Sequence, residues 1–559
     1  MQYRLSHQFR IDPAGGFRAG LAAAPPSRSP ADPAMAAAAA HYAAHRRDDA
    51  ARACEAVLAR QPDHVDALHL LGVVRTESGD PIGAYDPLLR AAGLAPDNAR
   101  VHYHLGNAYL ALQRFVEAAA SFRRALACDP DLLDARNNLG NAERRQGHAL
   151  AALDIYRAVL GQQPDFAPAL FNMGVTLAGL GERAAAIDCY RAVLARPPGP
   201  DETARYRDVH EALVGAWMES ACYAAAVDAC RAWRALVADD WRADWHEALC
   251  RLALGQYAEA WPLYERRWEL PEAREAQAPD ARPPAVPTLG ELAGKQVLLR
   301  GEQGRGDVIQ FARYAPLLAH HAATVSLIVY PELKALLGRM PGLAAVYDDA
   351  EPEPAHDIAI SLASLPLVFA TTLETIPATV PYLAPTPAAV ARWQARLGPP
   401  GTPNIGLCWW GSAHSRRSSI PPHLLDPLLH LPGPQFHILQ RDIEPAHHAW
   451  IATHTRLTNH AADLTDFDET AALIAGLDLV ITIDTSVAHL AGALGRPTWV
   501  LLRHGADWRW LCERTDSPWY PTTRLFRQGP DHEWEPVVAT LRTALSALLG
   551  ITRPARLCR

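Results

Sequence analysis

The residues best suited to chemistry follow a short apolar run in the C-terminal part of the chain. Asp484, Thr485 and Ser486 come directly after Leu479–Ile483, and His489 follows Thr485 by four residues. Asp, Thr and Ser side chains can cap a helix by accepting hydrogen bonds from its free N–H groups. A helix N-terminus also attracts an anion, and a histidine one turn further along the same face can add a donor. The pattern is therefore typical of a phosphate site, although simple helix capping beside an ordinary buried histidine explains it too.

The elements that must position these residues are a strand, a polar turn, a helix and a second strand. Leu479–Ile483 is a β-branched run typical of a strand buried in a parallel sheet, and the apolar residues after Ser486 have helical spacing. Gly495 and Pro497 predict the end of that helix, and Thr498–Leu502 is predicted to be the second strand. Open α/β sheets bind ligands at the carboxyl ends of their strands, which is where this turn is expected.

A glycine-rich loop marks a second candidate site. Gln296–Arg300 is predicted to be a strand, and Gly301, Gly304 and Gly306 follow it before an amphipathic helix. Their spacing fits a nicotinamide-binding fingerprint poorly but suits a loop that a ligand approaches closely. Asp307 is in the first turn of the helix, where the helix dipole predicts a low pKa. It is either a catalytic carboxylate or only a favourable N-terminal helix residue.

A third loop offers positive charge. The apolar run 404–410 is predicted to be a strand, followed by a turn at Gly411 and Ser412 and by the pair Arg416 and Arg417. Paired arginines suit a diphosphate, while a solvated basic loop is the alternative.

The remaining α/β pattern predicts strands over 324–329, 357–361 and 436–440, a helix near 444–454 and one starting near Asp468. A final helix over 533–549 is predicted to brace both α/β halves. The segment between the last predicted strand and that helix is rich in aromatic residues, which are predicted either to line a cleft or to pack against a neighbouring domain; they include Trp508, Trp510, Trp519 and Tyr520.

The N-terminal half repeats with a period of 34 residues. The pattern is a glycine, a small residue twelve positions later, a large residue four further on and a proline eight beyond that. Its members are Gly72, Ala84, Leu88 and Pro96; Gly106, Ala118, Phe122 and Pro130; Gly140, Ala152, Tyr156 and Pro164; and Gly174, Ala186, Tyr190 and Pro198. This pattern resembles the tetratricopeptide repeat, whose small residues let two antiparallel helices approach and whose proline ends the second helix.

Such repeats commonly form a groove for an extended peptide. Asn138 and Asn172 occupy one repeat position, and their amides are predicted to hydrogen-bond a bound peptide backbone. Solvated polar side chains are the alternative interpretation.

Composition and charge exclude several classes of protein. The 559 residues allow three or four domains, and the net charge of −8 gives no electrostatic case for nucleic acid. No apolar run reaches membrane-spanning length, and the N-terminus lacks the order of a secretory signal. The nine cysteines are scattered without a CxxC pair, which predicts reduced thiols and a cytoplasmic location. The histidines show no metal-ligand spacing, so no metal is expected.

The predicted fold class is an all-α repeat solenoid followed by a pair of Rossmann-like α/β domains. The predicted boundaries are a mobile leader over 1–34, repeats over 35–270, a linker over 271–294, α/β domains over 295–395 and 403–549, and a tail over 550–559.

Residues 295–549 resemble a GT-B glycosyltransferase of the heptosyltransferase-like superfamily. GRGDVIQ at 304–310 is similar to the family's N-terminal Gly-Asp loop, and DTSVAHLAGALGRP at 484–497 is similar to its donor-binding signature. The fusion to repeats is similar in architecture to the protein O-GlcNAc transferases. The family often has a lysine after the first strand of its C-terminal domain, where this chain has Arg416 and Arg417 instead.

The resemblance implies an inverting, metal-independent transfer from a nucleotide-diphosphate sugar, without a cofactor. It assigns Asp307 as the general base that deprotonates the acceptor hydroxyl. It places Asp484 near the ribose or sugar of the donor and Thr485, Ser486 and His489 at its diphosphate. The remaining donor-side positions are Gly304, Gly306, Gly411, Ser412, Arg416 and Arg417.

The leading hypothesis is a glycosyltransferase that modifies a protein captured by its repeats. Three alternatives stay open: transfer to a cell-envelope or lipid-linked glycan with the repeats holding a partner, a scaffold with a vestigial transferase domain, and a nucleotide-sugar epimerase. The presence of Asp307 together with the Asp484–His489 set favours an active transferase, and an epimerase would have no need of the repeats.

Overall fold

A computed structural model describes residues 33–199, 202–271, 273, 285–397, 401–411 and 418–551. Most of the predicted leader, much of the linker and the end of the tail lie outside these residues. The described residues form two compact units. One contains those up to Ala216 together with 235–238, and the other contains 217–234 and those from Asp239 onward.

The first unit is built from helix pairs. Its helices are α1 Pro33–Ala43, α2 Arg47–Arg60, α3 Val65–Glu77, α4 Pro81–Leu94, α5 Ala99–Ala111, α6 Phe115–Cys128, α7 Leu133–Arg145, α8 Ala149–Gln162, α9 Ala167–Gly179, α10 Arg183–Leu194 and most of α11 Thr203–Glu219.

The repeat glycines pack against the large residue sixteen positions later. A Cβ atom on Gly140 would lie 2.6 Å from Cε1 of Tyr156, and one on Gly106 would lie 2.5 Å from the same atom of Phe122. Both rings are fully buried. Each glycine therefore provides the space that its partner ring fills, which is the physical reason for the constant spacing between these two positions within a repeat.

The second unit begins with helices that precede the α/β region. They are α12 Tyr223–Leu236, α13 Trp241–Ala253, α14 Tyr257–Tyr264 and a 3₁₀ helix Glu265–Glu269. The sequence predicted that the repeats extend to residue 270, and that boundary stays a prediction. The contacts group all but a few residues of these helices with the α/β region.

The first sheet has four parallel strands in the order β3-β2-β1-β4. They are β1 Gln296–Arg300, β2 Thr324–Val329, β3 Ala345–Asp348 and β4 Ile358–Ser361. The helices of this part are α15 Leu289–Leu292, α16 Arg305–Ala312, α17 Ala315–Leu318, α18 Pro331–Leu337, α19 Leu365–Val368 and α20 Pro387–Gln394, with a 3₁₀ helix at Leu362–Ser364.

The second sheet has six parallel strands in the order β10-β9-β8-β5-β6-β7. They are β5 Asn404–Cys408, β6 Gln435–Ile438, β7 Leu457–Asn459, β8 Leu479–Ile483, β9 Thr498–Leu502 and β10 Thr523–Arg527. Its helices are α21 Asp426–Leu429, α22 His448–Ala452, α23 Phe467–Ala475, α24 Ser486–Ala493 and α25 Glu535–Leu548, with 3₁₀ helices at Pro422–Leu425, Pro445–His447, Ala461–Asp463 and Trp508–Trp510.

The predicted class, helical repeats followed by parallel α/β domains, is confirmed. The strands β8 and β9 have the predicted ends, because an apolar β-branched run between polar turns is a strong local signal. The edge strands β3, β7 and β10 were not predicted, since their apolar runs are short and are interrupted or flanked by polar residues. The final helix α25 packs its apolar face on the core of the second sheet, and its predicted bracing of the two halves stays a prediction.

Among the described residues, no helix combines the length and the apolar character needed to cross a bilayer.

We expect Gly140→Ala to destabilise the repeats, because the added methyl group would push against the buried ring of Tyr156. Overpacking of this kind costs about 1–3 kcal/mol. Gly161→Ala is the matched control: this glycine lies exposed in α8 with nothing within 4 Å of its Cβ position. There alanine should stabilise the helix by up to about 1 kcal/mol. Urea unfolding of the full chain, followed by circular dichroism, measures both changes, and equal effects of the two substitutions would contradict the packing argument.

Candidate active site at two helix N-termini

The two loops singled out in the sequence lie side by side. Helix α16 follows β1 and helix α24 follows β8, so both begin at the carboxyl end of a parallel strand. A Cβ atom on Gly306 would lie 2.8 Å from Cδ2 of His489 and 3.5 Å from Cα of Ser486. Only glycine allows the first turns of the two helices to approach this closely. The structure therefore brings the Gly-Asp loop and the Asp-Thr-Ser turn to one place.

Asp307 is buried, with 5% of its surface exposed, in the first turn of α16. Its Oδ2 accepts a hydrogen bond of 2.8 Å from the N–H of Gly304, and its Oδ1 forms an ion pair with Arg509. Burial raises the pKa of Asp307 above its ordinary value, against the opposing effects of Arg509 and the Gly304 N–H. The predicted low pKa is wrong, because removal from water outweighs the helix N-terminus. A raised pKa makes the carboxylate a stronger base.

Arg509 is a site residue that the sequence analysis missed. It lies in the 3₁₀ helix Trp508–Trp510 after β9, and only 6% of its surface is exposed. Asp507 begins this short helix, and its Oδ1 accepts from both the backbone N–H and Nη1 of Arg509, at 3.0 and 2.9 Å. Burial opposes the guanidinium charge, but Asp307 and Asp507 outweigh it and hold the pKa of Arg509 above its ordinary value. The only signal in the sequence is an arginine between two tryptophans after a strand.

Asp484 lies at the end of β8, beside this cluster. Burial and the nearby carboxylate of Asp507 raise the pKa of Asp484 from 3.8 to about 7, while Arg509 and Arg503 lower it. Asp484 is therefore near a second carboxylate, Asp507, and two arginines, Arg509 and Arg503. Because burial favours the neutral form, Asp484 presents a carboxyl that holds a proton more readily than an exposed aspartate does.

Helix α24 begins without a side-chain cap. Thr485 occupies the N-cap position with extended backbone angles, as predicted, but its side chain makes no capping hydrogen bond. Its hydroxyl instead lies 3.4 Å from that of Thr482 and 3.8 Å from Sγ of Cys408. The first N–H groups of α24 are therefore not used by the side chain at the cap position, and they provide the positive end that an anion needs.

His489 is 1% exposed on the first turn of α24. Its Nδ1 lies 3.0 Å from the hydroxyl of Tyr520, and its ring stacks on Trp510 with centroids 5.3 Å apart. Burial, with Arg509 and Arg313, lowers the pKa of His489 well below its ordinary value. The imidazole is therefore neutral, so it can offer a hydrogen bond from Nε2 when Nδ1 accepts from Tyr520, but it cannot offer a positive charge.

The helices of residues 241–269 support the glycine-rich loop. The hydroxyl of Tyr264 lies 2.9 Å from Nε2 of Gln303, and the fully buried Arg267 donates to Glu302 at 2.8 Å and to Ser364 at 2.6 Å. Trp508 lies against Trp261 with ring centroids 5.6 Å apart. In the aromatic segment that follows β9, Trp508 packs against the preceding helices of the same unit, while Trp510 and Tyr520 contact His489. That these rings line a cleft stays a prediction.

The third loop lies largely outside the described residues. Gly411 donates its N–H to Oγ of Ser419 at 3.0 Å, but Ser412, Arg416 and Arg417 are not described. Their donor-binding roles stay predictions.

The two asparagines of the repeats belong to an amide ladder. Nδ2 of Asn172 donates to Asn137 at 3.0 Å, Asn137 donates to Asn138 at 3.0 Å, and Asn138 donates to Asn107 at 2.8 Å. Asn138 and Asn172 are 8% and 7% exposed, so the alternative of solvated side chains is wrong. One amide hydrogen of each joins neighbouring repeats, and peptide binding through the remaining groups stays a prediction.

Within the described residues, no group of three or more His, Cys, Asp and Glu side chains is arranged to hold a metal ion.

We expect the stability of the protein relative to that of an Asp484→Asn variant to fall as the pH rises from about 4 to 8. The folded-state pKa of Asp484 is above its ordinary value, so the neutral carboxyl stabilises the folded state. This stabilisation is complete below pH 3.8 and is lost as the pH rises through about 7. The change is at most roughly 1.4 kcal/mol for each pKa unit, reduced by partial exposure of the side chain. Melting temperatures of both proteins across this range test the expectation, and parallel curves would contradict it.

Comparison with known families identifies both parts of the chain. The tetratricopeptide repeat family matches residues 35–81, 82–132 and 137–201. Glycosyltransferase family 9 (heptosyltransferase) matches residues 441–505, which include Asp484 and His489 but neither Asp307 nor Arg509.

The chain is similar to Protein FlbA of Caulobacter vibrioides, with 32% identity over 324 residues that make up 53% of each protein. It thus spans about half the length of this relative. Among solved structures it is similar to MamA, at 26% identity, with 28% of this chain and 92% of that one covered and a TM-score of 0.27. A tetratricopeptide repeat protein from Parabacteroides merdae is 12% identical, with 44% of this chain and 94% of that one covered and a TM-score of 0.36.

The predicted fusion of repeats to a heptosyltransferase-like domain is thereby confirmed. The chain combines tetratricopeptide repeats in its N-terminal part with a glycosyltransferase family 9 domain in its C-terminal part.

Proposed function

We propose that the protein is an inverting glycosyltransferase that moves a sugar from a nucleotide-diphosphate donor to a protein acceptor. The observation that carries the proposal is the meeting of two helix N-termini at Gly306 and His489. One of these termini bears a buried carboxylate, and the other bears N–H groups without a side-chain cap. A base and an anion site are then close enough for a bound donor to contact the anion site while its acceptor contacts the base, as a single displacement requires.

On the acceptor side, Asp307 takes the proton of the attacking hydroxyl as that oxygen bonds to the anomeric carbon. Its raised pKa suits this task, because a general base works best when its pKa is close to the working pH. Attack from the side opposite the departing diphosphate inverts the anomeric configuration.

On the donor side, the N-terminus of α24 binds the diphosphate. Negative charge grows on the leaving oxygen during transfer, and fixed N–H groups stabilise it without rearranging. Neutral His489 adds a hydrogen bond from the same helix face. The match to glycosyltransferase family 9 over 441–505 supports this assignment, since it contains this helix. The proposal requires no metal, because the helix terminus supplies the positive end.

The repeats bind the acceptor protein, since arrays of this kind commonly hold an extended peptide. We place the reaction in the cytoplasm, because the eight described cysteines are free thiols, as is usual in a reducing compartment.

Donor binding is the first test. We expect one nucleoside diphosphate among UDP, GDP and ADP, or its sugar, to raise the melting temperature, since ligand at 100 times its Kd stabilises by about 2.7 kcal/mol. His489→Ala should reduce that shift, because a hydrogen bond at the diphosphate is lost. CMP serves as the monophosphate comparison.

No shift with any of these ligands at millimolar concentration would favour a non-catalytic scaffold instead. With the donor identified, its labelled sugar should appear on members of a peptide library. Labelling of glycan or lipid acceptors alone would contradict the protein acceptor.

We expect Asp307→Asn to lower turnover by about 10²- to 10⁴-fold, the usual contribution of a general base, while donor binding survives. The readout is release of nucleoside diphosphate from the donor sugar. Asp468→Asn is the matched control, because Asp468 is also a buried carboxylate in the first turn of a helix and pairs with an arginine, Arg339. Near-normal turnover of Asp307→Asn, or an equal loss in the control, would exclude Asp307 as the base.

A further inference from the structure

Arg509 holds a position that the proposed reaction does not yet use. Its Nη1 and Nη2 contact Asp507 and Asp307, and its guanidinium lies over the ring of Trp508 at 4.3 Å and that of Phe311 at 5.8 Å. Its buried Nε has no hydrogen-bond partner among the described residues. This arginine therefore lies near two aromatic rings, and its Nε–H has no acceptor among the described residues.

The cation lies next to the uncapped N-terminus of α24. The following residue, Trp510, stacks on His489, and the charge of Arg509 contributes to the lowered pKa of that imidazole. A diphosphate at this terminus would come within reach of a guanidinium whose geometry matches two phosphate oxygens. The arginine contacts the base candidate and lies beside the anion site at the same time.

The local charges favour an exchange of partners. Arg509 pairs with both Asp307 and Asp507, so its guanidinium already divides its charge between two carboxylates. Arg503 and Arg313 are further cations near the site. A diphosphate carries at least two negative charges and is also bound by the helix N-terminus, so it can replace a single carboxylate at the guanidinium.

We propose that Arg509 pairs with Asp307 in the nucleotide-free protein and transfers to the donor's diphosphate when the donor binds. This proposal rests on the proposed function. The exchange frees Asp307 from its ion pair only when a donor is present. The carboxylate then loses its nearest cation, becomes a stronger base and is open to the acceptor hydroxyl. Donor binding thus precedes acceptor activation, and Arg509 stabilises the departing diphosphate.

A double-mutant cycle in binding tests the exchange. The probe is whichever of UDP, GDP and ADP binds the unaltered full chain best, measured by titration calorimetry, with its nucleoside as the phosphate-free comparison. We expect Asp307→Asn to tighten diphosphate binding by about tenfold, because the carboxylate no longer competes for Arg509. Arg509→Gln should weaken binding by about tenfold. In the double variant the gain from Asp307→Asn should fall below about twofold, and nucleoside affinity should not change in any variant.

Two controls keep the result interpretable. Arg339→Gln breaks an ion pair with Asp468 outside the site and should leave diphosphate affinity unchanged. Arg509→Lys keeps the charge and should retain part of the affinity even where Arg509→Gln does not fold.

Tightening by Asp307→Asn of the same size with and without Arg509 would show simple charge repulsion and overturn the exchange, while the proposed function would stand. Weakened or unchanged binding by Asp307→Asn would overturn it too. Absence of nucleoside-diphosphate binding by the unaltered chain would overturn both proposals.

Discussion

The ion pair between Asp307 and Arg509 is the interaction on which the candidate site depends. It links the helix after β1 of the first sheet to the segment after β9 of the second. Both side chains are almost completely buried, so the two charges must stay paired or meet a ligand of matching charge. The close contact of Gly306 with His489 lies beside this pair. Together they make the two carboxyl-end loops one site.

The helices before the α/β region help to position the residues of the candidate site. Arg267 and Tyr264 bind the loop 301–304, and the aromatic rings of α14 pack against Trp508, the neighbour of Arg509. A buried arginine that bonds to Glu302 and Ser364 leaves this loop little freedom. The position of Asp307 thus depends on residues that the repeat pattern had suggested were only further copies.

Several features could be predicted because their signals are local. In each of the four repeats a glycine meets one large buried side chain, so the pair recurs at the same positions. Likewise β8, α24 and β9 follow from apolar runs bounded by Asp484 and by Gly495 with φ of +66°. The edge strand β10 was not predicted because its apolar run is only Leu525 and Phe526, with an arginine on each side. The low pKa expected for Asp307 was wrong because burial cannot be read from a helix position.

The sequence by itself determined the repeats, the parallel α/β class and the two loops that carry Asp307 and His489. Only the tertiary structure decided that these loops meet, that Arg509 pairs with Asp307 and that Asn137 joins Asn138 and Asn172 in a ladder. The reason is physical: strands, caps and helix faces depend on neighbours within a few residues. The ion pair of Asp307 with Arg509 joins residues far apart in the chain, whose approach is set by packing and leaves no local signal. The repeat period marked Asn138 and Asn172 but did not show that Asn137 joins them.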